Sequence, residues 1–550
     1  MAEIIPAKHQ PDLPKKLILR ESPDDESIPL DVLFVGAGPA GLAGAIRLAQ
    51  QVKAANDAGH GPGEIEIGVL EKAESLGEHN LSGAVVNPDA FRALFPDLTD
   101  DQLPFCDAVT QERVYWLSQS GSRRIPAPRE MRNHGYFTAS ICEIVRFLGE
   151  KAEALGINVF TGFPAESLLV DGNKVIGVRT VATGLDRDSN PGPNYMPPGD
   201  ITSRVTVLCD GTRSPLAQAW QAWQQIQSPN PQIFALGVKE LWRTPKNLDG
   251  IVHTLGWPLP RSAFGGSWAY PMGENTVSVG LVVGLDYRQH SLDVHQLTQQ
   301  LKDHPLFREM LDGGELLEWG AKTIPEGGFH SLPERLHGDG LLMAGDAAGF
   351  VNVAALKGIH YAMHSGLCAA DTILDALKAD DTSSAALAGY DRRIAESPIR
   401  TDLYRTRNMR LAFKSGFFMG GIKAFMMDLS RGAFPGGRIA SESDADEPKD
   451  VSPAEPFSPD GSRTLSKVDA VFRSGNATRD DIPGHLTAIE SVPAEVAQMY
   501  EHLCPAGVYE WDGEQLRINA PNCVDCKATD VLGPRWMPRE GGSGPRYKKM

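Results

Sequence analysis

Cysteine is scarce in this chain, and its scarcity limits where disulfide or metal chemistry can lie. The 550 residues include 7 cysteines. Four stand singly in apolar surroundings, as buried free thiols do, without the spacing of a secreted disulfide framework; they are Cys106, Cys142, Cys209 and Cys368. The other three, Cys504, Cys523 and Cys526, lie in the last fifty residues. Thiolate chemistry is therefore expected at the C-terminal end.

Basic charge and long apolar runs are also in short supply. Lysine and arginine total 53 against 70 acidic residues, a formal net charge of −17, so we expect no nucleic acid partner, which would require a basic stripe. No apolar run approaches the roughly 20 residues that span a bilayer. The first residues lack an apolar signal core and the composition of a transit peptide. We therefore expect a cytoplasmic protein of two or three domains without a membrane-spanning segment, a signal peptide or a transit peptide.

A glycine-rich turn stands near the N-terminus. Residues 32–35 form an apolar run typical of a buried parallel strand, GAGPAG follows at 36–41, and a helical pattern begins at once. In this context Gly36 permits the tight turn, Gly38 lets a pyrophosphate approach the backbone, and Gly41 lets helix and strand pack. The helix N-terminus adds amide donors for the phosphates. The turn therefore predicts a dinucleotide site.

Glu71 ends the next strand and is placed to accept from ribose hydroxyls. It lies further from the glycines than usual because of a polar insertion at 53–64. Two later strand ends indicate which dinucleotide is bound: Asp210 ends another apolar run, and Asp346 follows Gly345 at the end of a third, where it would accept from a ribitol or ribose hydroxyl. Each alone is also an ordinary strand-end turn. Together with the glycine turn at 36–41, they favour FAD over NAD.

The chain changes character after the flavin motifs. Between residues 232 and 334, short β-forming segments alternate with Gly/Pro turns, which predicts a mixed or antiparallel sheet. Gly265 and Gly266 open one of these strands, where they either present backbone amides to a flat ligand or form a β-bulge. The segment 411–434 alternates bulky apolar residues with glycine and single lysines. This pattern is compatible with a helix on a bilayer surface, but by itself it favours a core helix packed through its glycines.

The C-terminal cysteines have a spacing that suits an iron–sulfur cluster. A lone Cys504 precedes a turn in which two residues separate Cys523 from Cys526, the way chains wrap thiolates around such clusters. Four thiolates are usual, and the spacing puts the fourth at 529, where this chain has Thr529. A cluster beside a flavin would indicate electron transfer rather than hydrolysis.

Several motifs resemble the electron transfer flavoprotein–ubiquinone oxidoreductase family, and the resemblance runs from about residue 31 to the C-terminus. The motifs are LGEHNLSG at 76–83, GVKELW at 237–242, HTLGWP at 253–258, GFVNV at 349–353, KGIH at 357–360, CPAGVY at 504–509 and EGGSGP at 540–545. The chain departs from the family at 354–356, where Pro-Lys-Ile is usual, and at the fourth cysteine.

The resemblance implies binding sites. The turn at 36–41 would hold FAD, and Gly265 and Gly266 would line the ubiquinone site through their backbone amides. The segment 411–434, with a partner segment at 87–105, would lie in one leaflet of a membrane, which reverses the preference for a core helix. The three C-terminal cysteines would bind a 4Fe–4S cluster.

The residue at position 529 leaves three alternatives for the cluster. Thr529 stands where family members have cysteine. A non-cysteine group completes the cluster (Asp525, Thr529, Asp530 or water), or the cluster has three iron atoms, or the cysteines are vestigial and bind no iron.

The implied fold is α/β. It has a Rossmann-like two-dinucleotide-binding FAD domain, an inserted β-rich quinone-binding domain and a small C-terminal ferredoxin-like iron–sulfur domain. The expected boundaries are an N-terminal arm at 1–29, the FAD domain at 30–231 and 335–410, the quinone-binding domain at 232–334, a membrane-surface segment at 411–440 and the iron–sulfur domain at 451–550.

The expected function is electron transfer from reduced electron transfer flavoprotein, through FAD and an iron–sulfur cluster, to membrane ubiquinone or menaquinone. No catalytic side chain is nominated, because the cofactors supply the chemistry. The expected location is peripheral or monotopic, on the cytoplasmic face of a bacterial inner membrane. One alternative is an FAD-dependent monooxygenase or geranylgeranyl-reductase-like enzyme that oxidises NAD(P)H. The other is a non-catalytic flavin-binding subunit.

Overall fold

The computed structural model describes residues 3–83 and 85–550. Its α-helices are α1 (Pro39–Asp57), α2 (Asp89–Leu94), α3 (Ile141–Ala154), α4 (Pro215–Trp223), α5 (Val294–Asp303), α6 (Pro305–Leu311), α7 (Ile359–Lys378), α8 (Ser384–Leu387), α9 (Gly389–Glu396), α10 (Pro398–Thr406), α11 (Met409–Ala412), α12 (Phe417–Leu429), α13 (Lys467–Phe472), α14 (Ala494–Leu503) and α15 (Ala528–Leu532). Its strands are β1 (Glu3–Ile4), β2 (Ile18–Leu19), β3 (Ile28–Val35), β4 (Ile67–Glu71), β5 (Val85–Val86), β6 (Glu112–Leu117), β7 (Ser122–Ile125), β8 (Phe137–Thr138), β9 (Asn158–Thr161), β10 (Ala165–Asp171), β11 (Lys174–Thr180), β12 (Thr183–Leu185), β13 (Pro191–Met196), β14 (Asp200–Leu208), β15 (Phe234–Arg243), β16 (Ile251–Gly256), β17 (Gly265–Pro271), β18 (Thr276–Gly284), β19 (Glu315–Pro325), β20 (His337–Gly338), β21 (Leu341–Met343), β22 (Lys449–Asp450), β23 (Leu486–Thr487), β24 (Tyr509–Trp511), β25 (Leu516–Ile518) and β26 (Arg535–Trp536).

A parallel sheet forms the centre of the first unit. Strands β21, β14, β3, β4 and β9 lie side by side, and every neighbouring pair is parallel. Residues 32–35 of β3 are all buried, as expected for a strand covered on both faces. The first unit is therefore the Rossmann-like α/β layer that the glycine turn predicted.

Helices α1 and α7 pack together at a distance that only glycine permits. A Cβ on Gly366 would lie 2.2 Å from the carbonyl oxygen of Ala40 and 2.9 Å from the backbone nitrogen of Gly44. Both distances are too short for non-bonded atoms. Because α1 follows β3 directly, this packing fixes its N-terminus at the carboxyl edge of the sheet, where open α/β sheets bind ligands.

The second unit is a seven-stranded sheet in the order β19, β15, β18, β17, β16, β6, β7. All of its neighbouring pairs are antiparallel except β16 and β6. The expected sheet between 232 and 334 is present, and it also recruits β6 and β7 from earlier in the chain. Helices α5 and α6 cover the sheet and bury Leu301 and Phe307 in its core.

The C-terminal unit lies against strand β19. Thr323 donates two hydrogen bonds to the carbonyl oxygen of Cys526, one from its backbone N–H at 2.9 Å and one from its hydroxyl at 2.8 Å. A Cβ on Gly320 would lie 2.6 Å from the hydroxyl oxygen of Tyr547. The cysteine-bearing turn is thus fixed to the second sheet. The N-terminal arm is also held, since β1 pairs with β22.

The apolar segment after residue 411 forms α11, one 3₁₀ turn and α12. Among the side chains of α12 that the structure describes, the large apolar ones that are exposed are Met419, Ile422, Phe425, Met426 and Leu429. The core helix that the pattern alone favoured is therefore wrong, and the surface helix implied by the family resemblance agrees with the exposure.

The second segment expected at a membrane surface, 87–105, behaves differently. Its bulky residues Phe91 and Leu94 are buried in the core of the first unit, so the expectation for this segment is wrong. Within the described residues, no helix has both the length and the apolar character needed to cross a bilayer.

Candidate functional site

One cavity of about 340 Å³ joins the strand ends singled out in the sequence. Six of the predicted flavin-binding residues line it: Gly36, Gly38, Glu71, Asp210, Gly345 and Asp346. Gly41 is not part of the lining; a Cβ there would lie 2.1 Å from the carbonyl oxygen of Gly36. Gly41 therefore has the helix-packing position that its place in the motif predicts. We call this space the flavin cavity.

The glycine turn leaves room for a phosphate group. Gly36 has a φ of +112°, and a Cβ there would lie 2.5 Å from the carbonyl oxygen of Cys209, so only glycine fits. Gly38 caps α1, and the nearest atom to a Cβ there, Oδ1 of Asn80, is 4.0 Å away. The open space at Gly38 therefore adjoins the unpaired N–H groups of the helix, which attract anions.

Glu71 ends β4 in the wall of this cavity. Its carboxylate accepts from the backbone N–H of Ala73 at 2.8 Å and from that of Ala37 at 3.3 Å. Burial raises the pKa of Glu71, and these two hydrogen bonds oppose the rise. Each carboxylate oxygen accepts one backbone bond and keeps a lone pair, so Glu71 is able to accept from a ribose hydroxyl.

Two buried aspartates also line the flavin cavity. Among the described residues, Oδ1 of Asp210 has no hydrogen-bond partner, and burial raises the pKa of this carboxyl. Burial also raises the pKa of Asp346 to about 6, against the effect of Lys322. A buried carboxylate oxygen without a donor is costly. A hydroxyl group of a bound molecule would supply the donor that Oδ1 of Asp210 lacks.

The flavin cavity also contains lysines that the sequence motifs did not lead us to expect. The lysines that line it are Lys72, Lys322, Lys357 and Lys527. Burial lowers the pKa of Lys322 to about 8 and the pKa values of Lys357 and Lys527 to about 7. Only the KGIH motif at 357–360 pointed to one of them. A group of cations inside an acidic chain suits an anionic cofactor.

Aromatic residues of the second sheet close one side of the flavin cavity. Trp268 and Tyr270 of β17 line it, and the Tyr270 hydroxyl lies 3.3 Å from Nδ1 of buried His253. Burial lowers the pKa of His253 to about 3, so the imidazole is neutral at physiological pH. The second sheet thus supplies a flat, largely apolar wall.

The predicted quinone residues Gly265 and Gly266 begin β17 but are not among the lining residues of the flavin cavity. The residue before them, Phe264, contacts Phe413 with ring centroids 5.3 Å apart. Because Phe413 precedes α12, the start of β17, where the glycine pair lies, is next to the segment that leads into the exposed apolar helix.

A second, smaller cavity brings the C-terminal cysteines together. Cys504, Cys523, Cys526 and Thr529 all line it, and the three thiols are buried and free. Burial raises the pKa of all three, that of Cys523 to about 12. A bound metal would displace these protons, since the thiolate is the ligand. The donor set fits three corners of an iron–sulfur cluster and lacks the fourth thiolate. We call this space the cysteine cavity.

The aspartates beside the cysteines are engaged elsewhere. Asp525 accepts from Nε1 of Trp536 at 3.0 Å and from Arg539 at 3.1 Å. Burial alone would raise the pKa of Asp525, but the positive charges of Arg539 and Lys72 outweigh burial and hold this pKa well below its usual value. Asp530 accepts from Arg213 at 2.8 Å. Neither aspartate lines the cysteine cavity.

The two cavities share a wall. Lys527 and Trp536 line both of them. The Lys527 ammonium lies 4.4 Å from the centre of the Trp536 ring and donates to the carbonyl oxygen of Thr212 at 2.9 Å. Groups bound in the two cavities are therefore separated by a layer of side chains.

Two family models match this chain, one in the second sheet and one in the C-terminal unit. The family model "ETF-QO, ubiquinone-binding" matches residues 234–324, and the model "Electron transfer flavoprotein-ubiquinone oxidoreductase, 4Fe-4S" matches residues 461–548. The probable mitochondrial electron transfer flavoprotein-ubiquinone oxidoreductase of Schizosaccharomyces pombe is 35% identical, over 94% of this chain and 85% of that protein. The mitochondrial electron transfer flavoprotein-ubiquinone oxidoreductase of Homo sapiens is 36% identical, over 94% of this chain and 89% of that protein.

Solved structures share the fold of about three quarters of this chain. A geranylgeranyl bacteriochlorophyll reductase-like protein of Thermoplasma acidophilum has a TM-score of 0.56 at 18% identity and covers 73% of this chain and 90% of its own. A flavin-dependent brominase has a TM-score of 0.50 at 17% identity and covers 74% of this chain and 94% of its own. At these identities the likeness shows the fold alone.

We expect Gly38→Ala to fold normally and to bind FAD poorly. The added methyl group meets no protein atom closer than 4.0 Å, but it lies at the place where a pyrophosphate approaches the backbone. Flavin absorbance per mole of purified protein should fall about tenfold or more, while the melting temperature of the flavin-free protein stays unchanged. Gly484→Ala, where a Cβ also meets nothing within 4 Å, is the matched control. Full flavin content in Gly38→Ala would refute the phosphate role.

The buried lysines predict that FAD binds less tightly as the pH rises. Burial lowers the pKa of Lys322 to about 8 and that of Lys357 to about 7, and the negative charge of bound FAD raises both pKa values. FAD binding therefore takes up protons above about pH 7, and the Kd rises by up to about tenfold per pH unit for each proton.

Titration of the flavin-free protein, followed by quenching of flavin fluorescence, measures this dependence. Lys357→Met should flatten the profile, whereas Lys378→Met, at an exposed position on α7, should leave it unchanged. A Kd that stays constant from about pH 6 to about pH 9 would contradict the assignment.

Proposed function

Because the chain belongs to the electron transfer flavoprotein–ubiquinone oxidoreductase family, we propose that its two cavities and its exposed apolar helix form one route from a protein donor to a membrane quinone. The protein is an oxidoreductase that transfers electrons from electron transfer flavoprotein to ubiquinone. Its cofactors are FAD and an iron–sulfur cluster. When bound, these groups supply the electron-carrying chemistry; the chain holds them, excludes water and controls access.

The shared wall of Lys527 and Trp536 carries this proposal. Electron transfer between two centres requires that they lie close together, and a single layer of side chains keeps them close while it prevents contact. Trp536 is buried, so the wall also keeps bulk water out. An enzyme that used the flavin cavity alone would have no need for the adjoining cysteine cavity.

Seven residues are proposed to hold FAD. Gly36, Gly38 and Gly41 form the turn that receives the pyrophosphate at the N-terminus of α1. Glu71 accepts from the adenosine ribose, because its backbone hydrogen bonds leave one lone pair on each oxygen. Asp210, and Asp346 with Gly345 before it, accept from ribitol or ribose hydroxyls. The unpartnered oxygen of Asp210 supports this assignment.

The quinone is proposed to approach at Gly265 and Gly266. A Cβ on Gly266 would lie 2.8 Å from the carbonyl oxygen of Thr254, so the side of the strand that faces β16 is closed to any side chain. The contact between Phe264 and Phe413 provides an apolar surface between the glycine pair and α12. A quinone ring and its isoprenoid tail match such a surface in shape and polarity.

Helix α12 is proposed to lie on the membrane surface. Ile422, Phe425, Met426 and Leu429 follow the i, i+3, i+4, i+7 spacing of one helix face, and Phe425 and Leu429 are 66% and 72% exposed. Exposed apolar faces of this kind mark membrane or protein contacts. The side chains of Phe417 and Phe418 lie outside the described part of the chain. We propose the cytoplasmic face of a bacterial inner membrane as the location; the relatives above carry mitochondrial names.

The domain boundaries inferred from composition remain part of the proposal. Sheet membership supports the quinone-binding unit at 232–334, to which β6 and β7 are added. The family models begin and end close to the second and the C-terminal units. The arm at 1–29, the FAD unit at 30–231 and 335–410, the segment at 411–440 and the unit at 451–550 complete the division.

The direct test of the function uses the reduced donor. Reduced electron transfer flavoprotein should reduce the bound FAD and, in turnover, a water-soluble ubiquinone analogue, whereas NADPH should reduce neither. Stopped-flow absorbance in the flavin band measures the first step, and quinone absorbance measures the second. Gly38→Ala, prepared without flavin, is the blank. Oxidation of NAD(P)H with no response to the flavoprotein donor would overturn the proposal in favour of a monooxygenase or reductase.

Vesicle flotation tests the membrane helix. Each exposed side chain loses about 1.5–3 kcal/mol of burial when replaced by a charge, so Phe425→Glu with Leu429→Glu should lower the vesicle-bound fraction at least about tenfold. Phe472→Glu on α13, where the side chain is 85% exposed, is the matched control and should float like the wild type. Equal flotation of all three proteins would exclude α12 as the anchor.

A further inference from the structure

The cysteine cavity has three corners with thiols and one with a hydroxyl. Thr529 lies in the first turn of α15 and is buried. Its Oγ1 lies 3.1 Å from the hydroxyl oxygen of Tyr509, so the two hydroxyls hydrogen-bond to each other. Thr529 follows Cys526 at the same spacing at which Cys526 follows Cys523. The hydroxyl therefore occupies the position that a fourth thiolate would take.

No neighbouring carboxylate or imidazole replaces that thiolate in the described structure. Oδ1 of Asp525 accepts from Trp536 and Arg539 and lies 3.8 Å from the sulfur of Cys523. His485 has a ring nitrogen within 4.8 Å of the Cys523 sulfur, and its Nε2 lies 3.4 Å from the guanidinium of Arg539. Both groups are near Cys523, but neither lines the cysteine cavity at Thr529.

A threonine hydroxyl is a poor substitute for a thiolate. Thiolates are soft, negatively charged ligands that iron–sulfur clusters select. The hydroxyl of Thr529 is neutral at physiological pH and already shares a hydrogen bond with Tyr509. It adds no charge to the site and only a weak lone pair, so an iron at this corner is bound mainly by the cluster's own sulfides.

We propose that this chain binds a cluster with one labile iron, the iron that faces Thr529. The inference rests on the iron–sulfur site of the proposed function and specifies its chemistry. A one-electron oxidant, ferricyanide or dioxygen, takes one electron from the 4Fe–4S core of charge 2+. The resulting core of charge 3+ releases that iron as Fe²⁺ and leaves a 3Fe–4S core of charge 1+. A reductant together with free Fe²⁺ reverses the loss. The site is thus a reversible iron-binding position controlled by oxidation.

The experiment uses the full chain, purified without oxygen and treated with ferricyanide. In the wild type, low-temperature electron paramagnetic resonance should show an oxidised three-iron cluster, and the ratio of iron to sulfide should fall from about 1 to about 0.75. Isotopically enriched Fe²⁺ with dithionite should then restore one iron per cluster. These readouts do not depend on the activity of the enzyme.

Two variants locate the effect at position 529. Thr529→Cys supplies the missing thiolate and should keep all four irons under the same oxidation. Thr487→Cys places an additional thiol at an exposed position outside the cavity and should lose iron like the wild type. Thr529→Ser retains the hydroxyl and should also lose one iron under the same oxidation; a serine variant that keeps all four irons would contradict the proposal even if Thr529→Cys folds poorly.

The outcomes separate this inference from the function on which it rests. A wild-type cluster that keeps four irons after oxidation overturns the inference and leaves the electron route intact. Equal iron loss from the wild type and Thr529→Cys overturns it as well, because the lability would not come from position 529. Absence of iron and sulfide from oxygen-free and reconstituted protein overturns both the inference and the cluster, whereas reduction of FAD by the flavoprotein donor would still be measured independently.

Discussion

The two hydrogen bonds from Thr323 to the carbonyl oxygen of Cys526 are the interaction on which the functional geometry depends. Residues 322–324 of β19 line the flavin cavity, and the same strand holds the turn that carries the cysteines. Each bond contributes only about 1 kcal/mol. Their importance is positional, because β19 is paired with β15 along nearly its whole length. The cysteine turn is therefore attached at Thr323, a residue of this sheet that itself lines the flavin cavity.

Electrostatics explain why this chain can be acidic overall and still hold an anionic cofactor. Lysines are concentrated inside, where burial lowers the pKa values of Lys322, Lys357 and Lys527; a bound anion raises these pKa values again and keeps the ammonium groups charged. Asp525 offsets part of it: it pairs with Lys72 on the flavin side and with Arg539 behind the cysteine turn. A buried carboxylate survives in such a place only when it is paired. The same residue thus neutralises cations at both sites without binding either cofactor.

The sequence predicted the parts of the site that are encoded locally. The glycine turn, the strand-end aspartates and the cysteine spacing each depend on residues a few positions apart, and six of the seven flavin residues meet in one cavity. The lysines could not be found in this way, because Lys72, Lys322 and Lys527 come from distant segments that only the fold brings together. The pairing of β6 with β16 joins strands more than a hundred residues apart and leaves no local signal. Helix α12 was ambiguous for a different reason: its composition suits a core as well as a bilayer surface, and only the absence of a covering element distinguishes the two.

Arg410 shows how the exposed helix is positioned relative to the flavin cavity. Its guanidinium is buried, donates to Glu326 at 2.7 Å and to Asp286 at 2.8 Å, and lies 4.0 Å from the centre of the Phe264 ring. Glu326 lines the flavin cavity, and Phe264 precedes the glycine pair at the start of β17. A buried ion pair of this kind adds little net stability compared with apolar packing, so its value lies in its geometry. One side chain on α11 thus fixes the cavity wall, the proposed quinone entrance and the helix that follows, and the membrane surface is held in a defined position relative to the flavin.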